Sequence, residues 1–283
     1  MRIAVLSDIH GNYSAFKAAL KDIEKLGIDK YIIAGDQILD FPKPNEVLET
    51  IRGLDAYVIK GNRENYILDY HNGKCSEWKK YKQMSTVLWT YETLKEENLK
   101  YIGELPSQLK VNISGTDSIR VVHGSPLAIS EELYPNKHLD RLEKACKAIE
   151  ETVLICGHTH EAWVKEAFGK LILNPGSLGV PFNKNSAAEY AVLTWKENHW
   201  TASIRQIDYT LKDFEEAFND TDIVEKCKTW CYLTLESIKA GRNVNIDFIN
   251  QGHNMAEKEG IKICELVPNS IWDKVHQLWF KEA

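Results

Sequence analysis

Eight side chains that can bind a metal ion occur in five short polar clusters along the chain. They are Asp8 and His10, Asp36, Asn62 and Glu64, His123, and His158 and His160. Nearly every cluster directly follows an apolar run that is typical of a buried strand. In an open α/β sheet, ligands bind beyond the carboxyl ends of the strands, where residues far apart in sequence meet. The clusters therefore predict one shared site.

Two clusters contain a pair of ligands that stand two residues apart, Asp8 with His10 and His158 with His160. In extended backbone, residues i and i+2 point to the same side of the chain. We therefore expect each pair to offer two ligands to one pocket.

The chemical mixture selects the metal. Imidazole nitrogens combined with carboxylates and one neutral amide oxygen suit manganese, iron or zinc, whereas a calcium or magnesium site is nearly all oxygen. Without Glu64 there are seven groups, which is too many for one tetrahedral zinc ion and enough for two ions that share a carboxylate. Glu64 is better placed to orient the ligands or to begin a helix than to bind metal.

The elements that must position these residues alternate in the first part of the chain. Residues 3–7 form a short apolar run, and apolar residues from Phe16 to Leu26 then recur at helical spacing. Residues 31–34 and 56–59 read as the next strands, with a short helix around Val47 to Ile51 between them. This βαβαβ order predicts a parallel sheet with right-handed crossovers.

Further strand-like runs occupy residues 118–122, 153–156, 170–173, 190–195 and 200–207. The last two are joined by a connection of hairpin length, so we expect the far side of the sheet to be antiparallel.

Two helical segments accompany a predicted core of residues 1–209. Residues 63–104 are an aromatic-rich helical insertion and a candidate substrate cap, and residues 210–283 form a helical C-terminal extension. The aromatic side chains of the insertion, such as Trp78 and Trp89, could stack on a base or pack between helices, and packing is the more general role.

Composition excludes several classes of protein. The formal charge of −6 argues against general nucleic-acid binding, which depends on clustered Lys and Arg, but a small phosphorylated substrate is compatible with it. The six cysteines, which include Cys264, show no disulfide-framework spacing. No signal-peptide core or membrane-length apolar run is present, so the sequence predicts a cytoplasmic protein.

The clusters, in their order, resemble the signature of the calcineurin-like metallophosphoesterases, specifically the small bacterial and archaeal phosphodiesterase-type branch. The matching elements are D-x-H, G-D, G-N-x-[ED], H-G and G-H-x-H, at Asp8-Ile9-His10, Gly35-Asp36, Gly61-Asn62-Arg63-Glu64, His123-Gly124 and Gly157-His158-Thr159-His160. The signature covers about the first 160 residues. It implies a four-layer α/β-β/α sandwich of mixed sheets.

The resemblance also implies a role for each residue. Asp8, His10, Asp36 and His160 would bind the first metal ion, and Asp36, Asn62, His123 and His158 the second, with Asp36 bridging. A metal-bridging hydroxide would attack phosphorus in line with the leaving group. Asp36, Asn62, Arg63 and His123 are then the expected catalytic residues.

Arg63 departs from many relatives, which have His or Cys at this position. Arginine stays protonated and cannot serve as a general acid, but it can clamp phosphate through two hydrogen bonds. This favours a substrate whose leaving group is already acidic, namely a phosphodiester or a nucleoside or dinucleoside polyphosphate. Asn12 is a second candidate for substrate binding, and capping of the following helix is the other interpretation of that residue.

Two alternatives stay open at this point. One is a phosphomonoesterase or protein phosphatase with the same fold. The other is a catalytically weak scaffold for protein interactions, since a fold does not by itself fix a function.

Overall fold

The computed structural model describes residues 1–261 and 266–280, and for residues 211, 213 and 214 the backbone alone. Cys264 and the last part of the predicted extension lie outside the described residues. The strands are β1 (Arg2–Leu6), β2 (Lys30–Ala34), β3 (Ala56–Ile59), β4 (Gln108–Val111), β5 (Ile119–Val122), β6 (Val153–Ile155), β7 (Ala162–Ala167), β8 (Lys170–Pro175), β9 (Ala188–Lys196) and β10 (His199–Ile207). The α-helices are α1 (Tyr13–Ile23), α2 (Pro44–Arg52), α3 (Asn62–His71), α4 (Ser85–Thr93), α5 (Glu96–Glu104), α6 (Leu139–Lys147), α7 (Leu211–Asn219), α8 (Ile223–Ala240), α9 (Val244–Lys258) and α10 (Asn269–Trp279).

The strands form two five-stranded mixed sheets, with the orders β10-β9-β1-β2-β3 and β4-β5-β6-β8-β7. Strands β1, β2 and β3 are parallel, as the βαβαβ order predicts. Strands β9 and β10 pair antiparallel, and β9 joins them to β1. Both predictions about the first sheet are confirmed.

Alternation along β1 shows how the layers assemble. Ile3 and Val5 pack between the two sheets against β5, β6 and β8, whereas Ala4 and Leu6 face the helices α1 and α2. All four side chains are fully buried, as expected for a strand covered on both faces. Helix α6 covers the outer face of the second sheet. The predicted four-layer α/β-β/α sandwich is therefore confirmed.

The predicted insertion, residues 63–104, packs largely onto the first sheet. It contains α3, α4, α5 and two short 3₁₀ turns, and Ile67, Val87 and Ile102 are buried in the same cluster as Leu6 and Ile33. The rings of Tyr66 and Trp78 pack edge to face with their centroids 6.0 Å apart, and Trp89 is buried. These contacts support packing as the role of the aromatic side chains.

The C-terminal helices α8, α9 and α10 have a small apolar core of their own, which includes Leu233, Phe248 and Ile271. They are joined to the insertion by hydrogen bonds: the indole N–H of Trp230 donates to the Lys82 carbonyl, and that of Trp272 donates to Gln83 Oε1, each at 2.8 Å. The boundary between residues 209 and 210 stays a prediction. No helix in residues 1–261 and 266–280 combines the length and apolar character needed to cross a membrane.

Three elements were not predicted from the sequence, β4, β7 and α6. Strands β4 and β7 are the two edges of the second sheet, and each alternates exposed with buried positions over only a few residues. Helix α6 buries Leu142, Ala145 and Cys146 within a charged sequence. Short amphipathic segments of this kind carry little apolar signal.

Candidate metal centre

The predicted ligands converge at one edge of the sandwich. Asp8, Asp36 and Asn62 follow the carboxyl ends of β1, β2 and β3 in the first sheet. His123 and His158 follow β5 and β6 in the second sheet. Because parallel strands in both sheets end on this side, the loops meet across the interface between the sheets.

The structure sorts the ligands into two groups. One contains Asp8, His10 and His160, and the other contains Asp36, His123 and His158; within each group the candidate ligand atoms lie within 4.8 Å of one another. His10 Nε2 is 3.1 Å from His160 Nε2, and His160 Nε2 is 3.3 Å from Asp8 Oδ1. Two imidazole nitrogens and a carboxylate oxygen thus point to one position.

Asp36 lies between the groups. Its Oδ2 is 3.3 Å from His123 Nε2 and 3.9 Å from His10 Nε2. Asn62 Oδ1 is 3.1 Å from the same His123 nitrogen. This is the placement that a bridging carboxylate with a neighbouring amide ligand requires.

Hydrogen bonds behind the imidazoles set their orientation. His123 Nδ1 donates to the Ala34 carbonyl at 2.9 Å, and His160 Nδ1 donates to the Val180 carbonyl at 2.7 Å. His10 Nδ1 lies 3.2 Å from Asp40 Oδ2. With Nδ1 of His123 and His160 hydrogen-bonded and Nδ1 of His10 beside a carboxylate, Nε2 of each ring faces the centre, the arrangement found around metal-binding histidines.

The backbone of these loops is unusual. Asp8, His10, Asp36, His158 and His160 all have positive φ, between 51° and 68°. The premise that the D-x-H and H-x-H pairs lie in extended backbone was therefore wrong: the left-handed turns send His158 and His160 to different groups. Such conformations cost about 1–3 kcal/mol each and concentrate at functional sites.

Glycines make room for the carboxylates. A Cβ on Gly61 would collide with the side chain of Asp36, and one on Gly157 would lie 2.8 Å from Asp8 Oδ2. Because the ligand carboxylates approach so closely, a glycine is needed before Asn62 and before His158, which explains the G-N and G-H elements of the sequence pattern.

Two buried polar atoms of the ligand groups form no hydrogen bond to any residue that the structure describes, although Asp8 Oδ1 lies 3.3 Å from His160 Nε2. Asp8 Oδ1 and His158 Nδ1 are buried and accept or donate no hydrogen bond within the described residues. Buried polar atoms of folded proteins are normally paired, and a cation would pair both. The donor set, with its imidazole nitrogens, carboxylates and amide oxygen, fits two divalent ions that are intermediate between hard and soft in their ligand preference.

The electrostatics of the site agree with this fit. Burial works to raise the pKa of Asp8, but His160 and His123 outweigh it and the pKa falls to about 2. Burial also lowers the pKa of His123, but Asp36 more than compensates and raises it to about 10. Burial and the adjacent His123 lower the pKa of His158 to about 4. The carboxylates and imidazoles thus stabilise each other's charged forms, and a divalent cation would take the place of the positive charge on His123.

Glu64 connects the ligand loops and does not face the centre. Its two oxygens accept hydrogen bonds from the backbone N–H groups of Asp36, Gln37, Ile38 and Gly61, at 2.7 to 3.3 Å. These hydrogen bonds are those expected of a carboxylate that orients the ligand loops, and that role stays a prediction.

Arg63 lies at the border of the centre. Its Nη2 is 3.4 Å from Asp40 Oδ2 and its Nε is 3.9 Å from Asp36 Oδ2, while one third of the side chain is exposed. Burial disfavours the charged form, but Asp40 and Asp36 more than compensate and raise the pKa of Arg63. Asp40, which faces both His10 and Arg63, was not anticipated, because its sequence context does not distinguish it from a loop carboxylate.

Asn12 caps α1 in this structure, and its role in substrate binding stays a prediction. Its Oδ1 accepts from the Ala15 N–H at the start of α1, and its Nδ2 donates to the Gly179 carbonyl and the Tyr209 hydroxyl. The residue is 2% exposed. Capping of α1, the other interpretation, accounts for its hydrogen bonds.

A cavity of about 450 Å³ opens onto the centre. Its floor includes Asp36, Asn62, Arg63, His158 and His160. Its walls come from the Val180–Phe182 loop, the insertion, and helices α8, α9 and α10, including Trp230 and Trp272. The sequence does not predict these wall residues, since only the packing of distant helices brings them to the site.

Two mixed sheets whose strand-end loops assemble two groups of metal-binding side chains define a metallophosphoesterase. The chain belongs to the calcineurin-like phosphoesterase superfamily, whose domain model matches residues 1–198. This membership supports a divalent-metal-dependent phosphoester hydrolase.

Several relatives resemble the chain over most of its length. An uncharacterized protein of Methanocaldococcus jannaschii is 32% identical over 232 residues, which are 74% of this chain and 88% of that protein. The crystal structure of a hypothetical protein from Pyrococcus horikoshii aligns with a TM-score of 0.72 at 25% identity, covering 82% of this chain and 97% of that chain. A metallophosphoesterase from Sphaerobacter thermophilus aligns with a TM-score of 0.66 at 23% identity, covering 85% of this chain and 100% of that chain.

Proposed function

We propose that this protein is a dinuclear-metal-dependent hydrolase of small phosphoesters, with a phosphodiester or a nucleoside polyphosphate, including a dinucleoside polyphosphate, as substrate. The observation that carries the proposal is the cavity, whose floor contains Arg63 together with members of both ligand groups, namely His160 of one and Asp36 and His158 of the other. Its volume of about 450 Å³ lies within the range of about 300–1,000 Å³ that is typical of small-molecule sites.

The ligand groups would hold two ions, with manganese, iron or zinc as the proposed metals. Bound there, the ions would act as Lewis acids on the phosphoryl oxygens and lower the pKa of a water nucleophile. Asp8, His10 and His160 would hold one ion, Asn62, His123 and His158 the other, and Asp36 would contact both. Hydrogen bonds to Ala34 and Val180 keep the imidazoles in place as substrate enters.

Arg63 is the proposed phosphate clamp. Its guanidinium lines the cavity beside Asp36, and Asp40 holds it from behind. Because arginine carries no transferable proton at neutral pH, the leaving group must depart as a stable anion. Aryl esters, nucleotide diesters and phosphoanhydrides meet this condition better than alkyl monoesters.

The walls of the cavity favour a small substrate over a phosphoprotein. Helices α8, α9 and α10 stand over the centre and are fixed to the insertion through Lys82 and Gln83. A folded protein loop would have to displace these contacts. Hydrolysis of a small molecule is therefore the better match, and a cytoplasmic location stays a prediction.

A substrate panel tests the proposal. The protein is loaded with Mn²⁺ and assayed with an aryl phosphodiester, an aryl phosphomonoester, an alkyl phosphomonoester and a dinucleoside polyphosphate. We expect kcat/KM to be lowest for the alkyl monoester. Faster turnover of the alkyl monoester than of the diester would contradict the proposal, and absence of turnover on every member together with absence of bound metal would favour the interaction scaffold.

Replacing Arg63 by Ala is expected to lower kcat/KM for the preferred substrate by an amount worth about 1–3 kcal/mol, because charge-assisted hydrogen bonds to phosphate are lost. Arg63→Lys keeps the positive charge but lacks the planar guanidinium, so it should restore only part of the kcat/KM that Arg63→Ala loses. Metal content should stay at the wild-type value. Arg242, an exposed arginine near the start of α9, provides the control as Arg242→Ala. An unchanged kcat/KM in Arg63→Ala would show that the guanidinium only balances the charge of Asp36 and Asp40.

A further inference from the structure

The part of the cavity beyond the metal centre has a composition of its own. We call this the distal wall and define it by Thr86 of α4, Trp230 and Thr234 of α8, Asn245 and His253 of α9, and Trp272 of α10. Five of the six residues lie after residue 198, where the match to the phosphoesterase family ends. The distal wall is therefore a feature of the C-terminal helices and the insertion, added to the shared catalytic fold.

Two hydroxyl groups in the distal wall have no partner. Thr86 and Thr234 are 7% and 5% exposed, line the cavity, and make no hydrogen bond through their side chains to any described residue. The half-buried side chains of Asn245 and His253 also make none within residues 1–261 and 266–280. These polar groups line the cavity, so the distal wall can bond to a ligand that offers several hydrogen-bonding atoms.

The two indole rings of the distal wall are fixed in position. The rings of Trp230 and Trp272 pack edge to face with their centroids 5.6 Å apart. Both indole N–H groups are already bound, to the Lys82 carbonyl and to Gln83 Oε1. Trp272 is 4% exposed and stacks on Phe248, so Trp230 is the indole that offers more hydrocarbon surface to a ligand, which suits a planar ring.

Charge distinguishes between ligands. Arg63 is the one Lys or Arg among the described residues that line the cavity, and it lies on the floor next to Asp36. The distal wall itself contains no Lys or Arg, so a chain of further phosphates would find no cation there. Neutral hydroxyls, an amide, an imidazole and two indoles match a ribose and a nucleobase.

From these observations, and resting on the proposed function, we infer that the distal wall binds the nucleoside part of a nucleotide phosphodiester. The scissile phosphate would lie over the metal centre and Arg63, and the ribose and base would extend towards Thr234 and the indoles. This favours a phosphodiester over a polyphosphate within the proposed substrate class, and it makes the C-terminal helices the part of the chain that selects the substrate.

Equilibrium binding tests the inference without depending on turnover. Calorimetry on the metal-loaded protein compares the four common nucleoside 5′-monophosphates with ribose 5-phosphate and inorganic phosphate. We expect at least one nucleoside monophosphate to bind about tenfold or more tightly than ribose 5-phosphate. Equal affinity for every nucleoside monophosphate and ribose 5-phosphate would overturn the inference.

Substitutions then locate the site. Thr234→Val keeps the shape of the side chain and removes the hydroxyl. It should lower the affinity for the preferred nucleoside monophosphate about five- to tenfold and leave the affinity for inorganic phosphate unchanged. Thr201→Val, on β10 and away from the cavity, is the matched control. Asn245→Ala is the second test, because this half-buried position tolerates truncation should Thr234→Val fail to fold. If a variant lost affinity equally for the nucleoside monophosphate and for inorganic phosphate, the effect would lie at the metal centre and the inference would be overturned.

The two proposals can fail separately. Selective binding of a nucleoside monophosphate by a protein that hydrolyses no ester would support the distal wall and contradict the proposed reaction. Hydrolysis of an aryl diester by a protein with no nucleoside preference would support the reaction and overturn the distal wall as a nucleoside site.

Discussion

Replacing Asp36 by Ala is expected to reduce phosphoester hydrolysis by more than about a thousandfold, since metal-ion stabilisation of charge is worth several kcal/mol. Asp36 is a carboxylate that faces both ligand groups, with Oδ2 at 3.3 Å from His123 Nε2 and 3.9 Å from His10 Nε2. Asp8 Oδ1 also lies within 4.0 Å of both His10 Nε2 and His123 Nε2, but Asp36 is the carboxylate closer to His123. Its loss should therefore disturb both ion sites at once, whereas loss of His160 should disturb one.

Two measurements separate this effect from simple unfolding. Elemental analysis should give about two bound ions per chain for the wild type and fewer for Asp36→Ala, and circular dichroism should show the same helix and strand content in both. Asp55→Asn is the matched control, because Asp55 is an exposed carboxylate at the opposite end of β3. Retention of two ions and of turnover by Asp36→Ala would refute the bridging role.

The types and order of the ligands could be predicted from sequence because metal chemistry restricts each position to few residues. Strand ends could be predicted as well, since runs such as Ala56–Ile59 are apolar and short. Together these place Asp36 and His158 near each other without any knowledge of packing. The conformation of the loops could not be predicted in this way, because a positive φ at Asp8 or His158 is imposed by neighbouring loops.

The cavity could not be predicted from the sequence, for a different reason. Trp272 and Arg63 are more than two hundred residues apart in sequence, and no local pattern indicates that α10 lies near the metal centre. Their proximity depends on the packing of α8 against α4 and on hydrogen bonds such as that from Trp272 Nε1 to Gln83. Tertiary contacts of this kind are specific to one chain, which is why the same catalytic fold can select different substrates.

Glu64 is expected to have the largest effect on stability of any side chain near the site. Its carboxylate is fully buried and accepts four backbone hydrogen bonds, from Asp36, Gln37, Ile38 and Gly61. Glu64→Ala would leave these N–H groups buried without an acceptor, at about 1–3 kcal/mol for each one that water does not reach. The loop after β2 would also lose its connection to the loop after β3, and with it the fixed spacing of Asp36 and Asn62.

We therefore expect Glu64→Ala to lower the free energy of unfolding by about 3–5 kcal/mol, and Glu64→Gln, which retains one acceptor oxygen, to lower it by about half as much. Urea denaturation of the metal-free protein measures both values without a contribution from bound ions. Glu104→Ala, at an exposed glutamate of α5, should change the free energy by no more than about 0.5 kcal/mol. If Glu64→Ala unfolded at the same urea concentration as the wild type, the four hydrogen bonds would not be what holds the two ligand loops together.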